Sequence, residues 1–340
     1  MATFLTSRKM PAALAARVEA SVRGKRAKKA IPQLAKGLLR VALVAGVIAL
    51  VSAMVVAHRR EVREREAMRA ALAEKVRSES AGVSEGDAQA VVRAERILVH
   101  AGGTYEGDFV ADELRGSDAI AAILTRPSMY LHAPIEAYAS AEAIEDAAAT
   151  SVKDAILYCW GDPPSGRAEK AVLSKVRIAY GGGARVEQAT PGVRRLGEAL
   201  AGLPFFQPAW RERVEGATDM TELKALREAM DKAPLERARR ALKAELFIAV
   251  VDEPGDKGIP AELDGERPHG VRVEVFDLAS GKTLLRVRKS VDPAWISQGA
   301  RLQYSTGLDA CLVGMDVREA GVPAAAASES VGKAKGAKGR

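Results

Sequence analysis

The chain predicts a mixed α/β (α+β) fold: one transmembrane helix, a helical stalk, then one mixed-sheet domain closing on an antiparallel hairpin and a final helix. Three observations predict it. Val41–Ala57 is an uncharged run of seventeen residues between basic flanks. Leu246–Val251 is apolar on both faces, the pattern of a central strand in a covered sheet. Val271–Asp277 and Thr283–Arg288 form two alternating runs, with Val271, Val273 and Val275 inward and Arg272, Glu274 and Phe276 outward, joined by Leu278-Ala-Ser-Gly-Lys282, which reads as a hairpin with glycine available for positive φ.

As a helix, Val41–Ala57 covers about 25 Å, and Gly37–Arg40 extends it to about 30 Å, one hydrocarbon core. Arg40 can snorkel to the headgroups. Two alternatives compete. A buried soluble helix would show polar positions other than Ser52, and a cleaved leader would not follow forty residues or leave His58-Arg59-Arg60 as a mature start. An uncleaved anchor is the preferred reading. Local Lys/Arg counts on its two sides nearly tie, but residues 1–40 carry ten Lys/Arg against one acid, Glu19. Long C-terminal domains cross largely regardless of charge. The N-terminus is therefore expected in the cytoplasm and the large domain outside.

The implied organisation is a basic cytoplasmic tail at 1–36, a membrane helix at 37–57, a stalk at 58–83, an extracytoplasmic domain at 84–320 and a disordered basic tail at 321–340. A short helix is expected at Pro11–Val22. The cluster Arg23, Lys25, Arg26, Lys28 and Lys29 suits either anionic-lipid contact or a topology signal alone. In the stalk, Glu61–Arg65 and Glu66–Arg69 pairs support a helix. Its thin apolar stripe, Val62, Met68, Leu72 and Val76, allows a homodimer through the stalk, although sustained heptads are missing.

The formal net charge of +7 lies in the two tails, and residues 41–320 are net acidic. A folded nucleic-acid-binding face should carry its own positive charge, so no nucleic acid is expected as a partner. The chain contains no Asn, which excludes N-glycosylation and an Asn in a catalytic set. With abundant Ala, Arg, Gly and Val, that composition is associated with GC-rich bacterial genomes. It makes the anchor an inner-membrane helix and the domain periplasmic.

Along the body, Ser84 or Asp87 is expected to cap a helix through Glu95, followed by a short strand Ile97–His100. Ser117 caps a helix to Leu124, Met129–Ala133 is a strand, and Ser140 caps an Ala-rich helix to Ala149. Asp154–Trp160 reads as a strong strand bounded by Gly161-Asp-Pro-Pro164. Arg167–Tyr180 is an amphipathic helix stopped at Gly181–Gly183. Thr190-Pro191 opens a helix ending before Pro204. Helices follow at Thr221–Asp231 and Pro234–Lys243, and a last one at Gln303–Glu319. About five strands result, with helices on both faces.

The element order from Asp154 to Arg288 (strand, helices, apolar strand, hairpin with a Ser-Gly-Lys turn) resembles small envelope α/β accessory modules of the TolB amino-terminal type and the CsgG/LpoB type. It covers about 135 residues and implies fold alone, because function does not follow fold.

Chemistry is sparse. Cys159 and Cys311 sit in apolar runs, as two buried small hydrophobes or as one disulfide if the address is periplasmic. The four histidines, His58, His100, His132 and His269, share no i,i+3 or i,i+4 pair and read as structural or solvated, with His269 beside Pro268 in a loop. His100 and His132 would converge only on neighbouring strands. No P-loop, G-x-S-x-G or H-E-x-x-H pattern occurs, and no metal or cofactor is expected. Asp162, taken to end a strand, is the one residue in a crevice position, with turn formation as the plainer role. Phe205, Phe206, Trp210 and Trp295 are candidates for a partner surface, against ordinary core packing. The expected function is an envelope protein anchored in membrane lipids whose domain binds another envelope protein or a cell-wall component. A membrane-tethered periplasmic hydrolase is the alternative, and a cytoplasmic domain with inverted topology is the third reading.

Overall fold

The computed structural model describes residues 12–181, 183–253 and 268–322. The chain divides into two units, Met1–Met68 and Arg69–Arg340. The first helix, α1 (Ala12–Ser80), enters both. In the first unit it includes Arg23–Lys29 and the apolar run, so the segment read as a tail with a short helix at Pro11–Val22 is helical from Ala12 onward. Among the described residues one helix is long and apolar enough to cross a membrane, beginning at Leu38, and its side chains through Ala57 are exposed.

The second unit is a covered six-stranded sheet. Its strands are β1 (Phe109–Val110), β2 (Ser128–Pro134), β3 (Val193–Arg195), β4 (Leu246–Glu253), β5 (His269–Asp277) and β6 (Thr283–Val291). The order is β1-β6-β5-β4-β2-β3. β2 runs parallel to both β3 and β4, while β4, β5, β6 and β1 pair antiparallel in turn. The apolar run Leu246–Val251 is central, as its two-faced pattern predicts, and the loop after β5 has Gly281 at φ +69°.

Helices cover both faces. They are α2 (Glu85–Ala101), α3 (Ser117–Ala122), α4 (Ala141–Thr150), α5 (Ala155–Gly161), α6 (Glu169–Gly181), α7 (Gly183–Ala189), α8 (Leu196–Phe206), α9 (Pro208–Gly216), α10 (Met220–Lys232), α11 (Leu235–Leu242) and α12 (Gln298–Glu319). On one face, Tyr130, Ile248, Val250, Val273, Leu285 and Val287 pack with Ile156, Leu157, Trp160, Val313 and Val317 from α5 and α12. On the other, Met129, Leu131, Phe247, Ala249, Val251 and Phe276 pack with α2, α4, α8 and α11. The end of α1 also belongs to this unit. Leu72 and Val76 are buried, Lys75 pairs with Asp231 at 2.5 Å, and Arg239 pairs with Glu79. Half of the stripe considered for a dimeric stalk is therefore covered by the domain itself.

Several elements differ from the reading of the sequence. Asp154–Trp160 is not a strand. Asp154 caps α5 by accepting from the Ile156 amide at 2.9 Å, and all six residues from Ala155 to Trp160 are buried. A helix covered on every side has no polar stripe, so periodicity cannot separate it from a buried strand. The resemblance to envelope accessory modules rested on that strand and loses its first element. Ile97–His100 continues α2, which the Ser84–Asp87 capping box starts. Gly116, not Ser117, is the residue before α3. Thr190-Pro191 forms a turn into β3, α8 starts only at Leu196, and Pro204 lies in its last turns. His269 opens β5 instead of lying in a loop. Arg272, Glu274 and Phe276, expected to face outward, are buried because α2 and the segment after it cover that face. The tail expected at 321–340 falls, from Pro323, outside the described residues.

Candidate functional site

Parallel pairing of β2 and β4 sets Leu131 beside Ala249 and Pro134 beside Asp252, so both strands end at one edge. Polar residues follow apolar cores there. His132 extends its imidazole between two carboxylates. Nδ1 meets Asp154 at the N-terminus of α5, and Nε2 lies 2.9 Å from Asp252. Asp154 also accepts from the Tyr130 hydroxyl at 2.9 Å. The His132 backbone amide donates to Ser151 Oγ at 3.1 Å.

The electrostatics follow from burial and pairing. Burial alone would lower the His132 pKa, but Asp252 and Asp154 more than reverse this and hold the imidazolium well above its ordinary value. Burial would raise Asp154, yet the His132 charge and the hydrogen bonds from His132, Tyr130 and the Leu157 amide leave it below the usual carboxylate value. The result is a charged tie joining β2, β4 and the start of α5. Both ring nitrogens are engaged, and Ser151 Oγ faces the His132 amide instead of the ring. Among the described residues, no group of three or more His, Cys, Asp or Glu has the geometry to hold a metal ion.

This cluster was not singled out from the sequence. The available signal was a polar residue at the end of each of two apolar strand runs, His132 after Met129–Leu131 and Asp252 after Leu246–Val251. It becomes meaningful only once the strands are known to be parallel neighbours. Asp154 carried no such signal because its segment read as a strand. His100 does not converge with His132. It is exposed near the end of α2, at the rim of a separate cleft.

The residues nominated from sequence lie apart. Asp162 ends a helix, not a strand, so its crevice argument falls. It pairs with Lys175 at 2.6 Å and accepts from the Tyr158 hydroxyl at 3.1 Å. It also lines a cleft of about 660 Å³ with Arg185 and Arg318. Phe205 is buried, and its ring meets Trp210 edge-on at 4.4 Å. Phe206 and Trp210 are half-buried. Trp295 belongs to a different cluster, where Nε1 donates to Asp309 at 2.9 Å. The four aromatics therefore form no common exposed patch, because the α8–α9 corner and the α5–α12 layer each take up their own. Cys159 and Cys311 are joined by a disulfide linking α5 to α12, with Cα atoms 5.1 Å apart.

Comparison with protein-family models, with curated proteins and with solved structures returns no match.

Proposed function

We propose that this chain is a single-pass bacterial inner-membrane protein with its N-terminus in the cytoplasm. Its periplasmic α/β domain acts as a binding module for another envelope protein or a cell-wall component. The basic residues Arg23, Lys25, Arg26, Lys28 and Lys29 contact anionic headgroups on the cytoplasmic side. The observation that carries the reading is a conjunction. One exposed apolar helix precedes a domain whose two cysteines form a buried disulfide, and such bonds persist in oxidising compartments. The test is thiol labelling of intact and lysed cells under reducing and non-reducing conditions, with a compartment reporter fused at Arg340. The reading expects an oxidised pair, a periplasmic reporter and sedimentation with membranes. Free thiols in intact cells with a cytoplasmic reporter would establish the inverted topology instead.

A membrane-tethered periplasmic hydrolase is the second reading. One observation favours it: His132, Asp154 and Asp252 gather at the ends of parallel strands, where α/β proteins seat their reactive groups, and His132 would act as a general base once one ring nitrogen is freed from its carboxylate. Turnover of chromogenic esters or phosphoesters that is lost in His132→Gln would support it. No turnover by the folded wild type would dismiss it.

A further inference from the structure

We propose that the cleft between the end of α2, residues 102–107 and the strands β5 and β6 binds a small zwitterion of the α-amino acid class. Its ammonium would sit on Glu274, its carboxylate on Arg286, and its apolar portion against Ile97 and Phe276.

The cleft measures about 540 Å³, inside the range of small-molecule sites. Glu274 and Arg286 are direct cross-strand partners. Opposite charges so placed ordinarily pair with each other. Here Arg286 turns away, Nε donating to the Gly107 carbonyl at 2.8 Å and Nη1 to Glu106 at 2.7 Å. Glu274 is only 5% exposed, lines the cleft, and has no hydrogen bond or ion pair among the described residues. A buried carboxylate without a partner is costly, and a ligand ammonium supplies one. Arg286 lines the same cleft, and its guanidinium has N–H donors beyond the Nε and Nη1 bonds to offer a carboxylate.

An unpartnered carboxylate beside a guanidinium in one cleft favours a ligand carrying both charges over a lone ion. The charged and titratable groups around Glu274 are Arg272 on its own strand, Arg286 and Arg288 on β6, Glu253 on β4, Tyr105, Glu106 and Asp108 on the covering segment and His100 on α2. Burial raises the Glu274 pKa to about 7, with Arg286 and Arg272 opposing the rise and Glu106 and Glu253 adding to it. Ammonium binding therefore competes with a proton.

The inference rests on reading the domain as a binding module but not on which side of the membrane it lies. Thiol labelling can fail while this holds, and the reverse. The test is calorimetric titration of the full chain in detergent micelles. The ligands are the L- and D-forms of leucine and alanine, with 3-methylbutylamine and 4-methylpentanoate as the two halves of leucine. At least one amino acid should bind saturably, and for leucine each half should bind at least about tenfold more weakly. Glu274→Gln should weaken the zwitterion about tenfold or more while its melting transition remains. Affinity should fall toward about tenfold per pH unit below 7, in the wild type and in His100→Gln alike. The proposal is overturned by no saturable binding at millimolar concentration, by equal binding of either half, or by an unchanged affinity in folded Glu274→Gln.

Discussion

Removing the Cys159–Cys311 bond should cost the folded unit several kcal/mol. The bridge joins residues 152 apart in sequence. Loop-closure entropy for a ring of that size corresponds to about 5 kcal/mol at 25 °C, near the top of the observed range. Both sulfurs are buried between α5 and α12, so a reductant reaches them only on opening, and substitution is the cleaner perturbation. Cys159→Ala, Cys311→Ala and the double variant should each lose about 3–5 kcal/mol in equilibrium denaturation of the detergent-solubilised chain. The pattern matters as much as the size. Either single substitution breaks the same covalent link, so the double variant should be barely worse than either one. Two unlinked buried side chains would show roughly additive losses. A double-variant loss below about 1 kcal/mol, or additive small losses, would refute the reasoning.

Two further outcomes follow from the packing and the charged tie. A Cβ on Gly314 of α12 would stand 2.2 Å from the Ile156 carbonyl of α5. Gly314→Ala should therefore lower stability by about 1–3 kcal/mol by forcing the two helices apart, and an unchanged melting temperature would show that they do not approach so closely. His132→Gln should be destabilising in a pH-dependent way. The raised His132 pKa contributes stability that is complete below about 6.5 and is lost as pH rises through the folded value. The lowered Asp154 pKa contributes stability present above about 4 and lost as pH falls through its folded value. The wild-type advantage over His132→Gln should thus be greatest between about pH 4 and 6.5 and shrink in alkaline solution. Urea melts at pH 5 and pH 9 showing equal differences would contradict the tie.

The legible parts of the fold were those whose signal is local. Seventeen uncharged residues between basic flanks exceed what a soluble helix exposes, so Val41–Ala57 needed no neighbour to be read. Leu246–Val251 announced a strand covered on both faces, and alternation with a glycine turn marked the hairpin before any partner was known. Capping chemistry likewise placed the start of α4 at Ser140. Asp154–Trp160 was misread because a short run buried on all sides carries no period. Its helicity depends on Asp154 capping it and on α12 closing over it. Arg272 and Glu274 were misread because alternation says which residues share a face, not whether a helix covers that face. Only tertiary structure put His132 between Asp154 and Asp252, closed Cys159 onto Cys311, and left Glu274 buried in a cleft. Each of these depends on strand neighbours and helix layers contributed by distant segments, and long-range placement is set by the packing of the whole chain, not by the residues alongside.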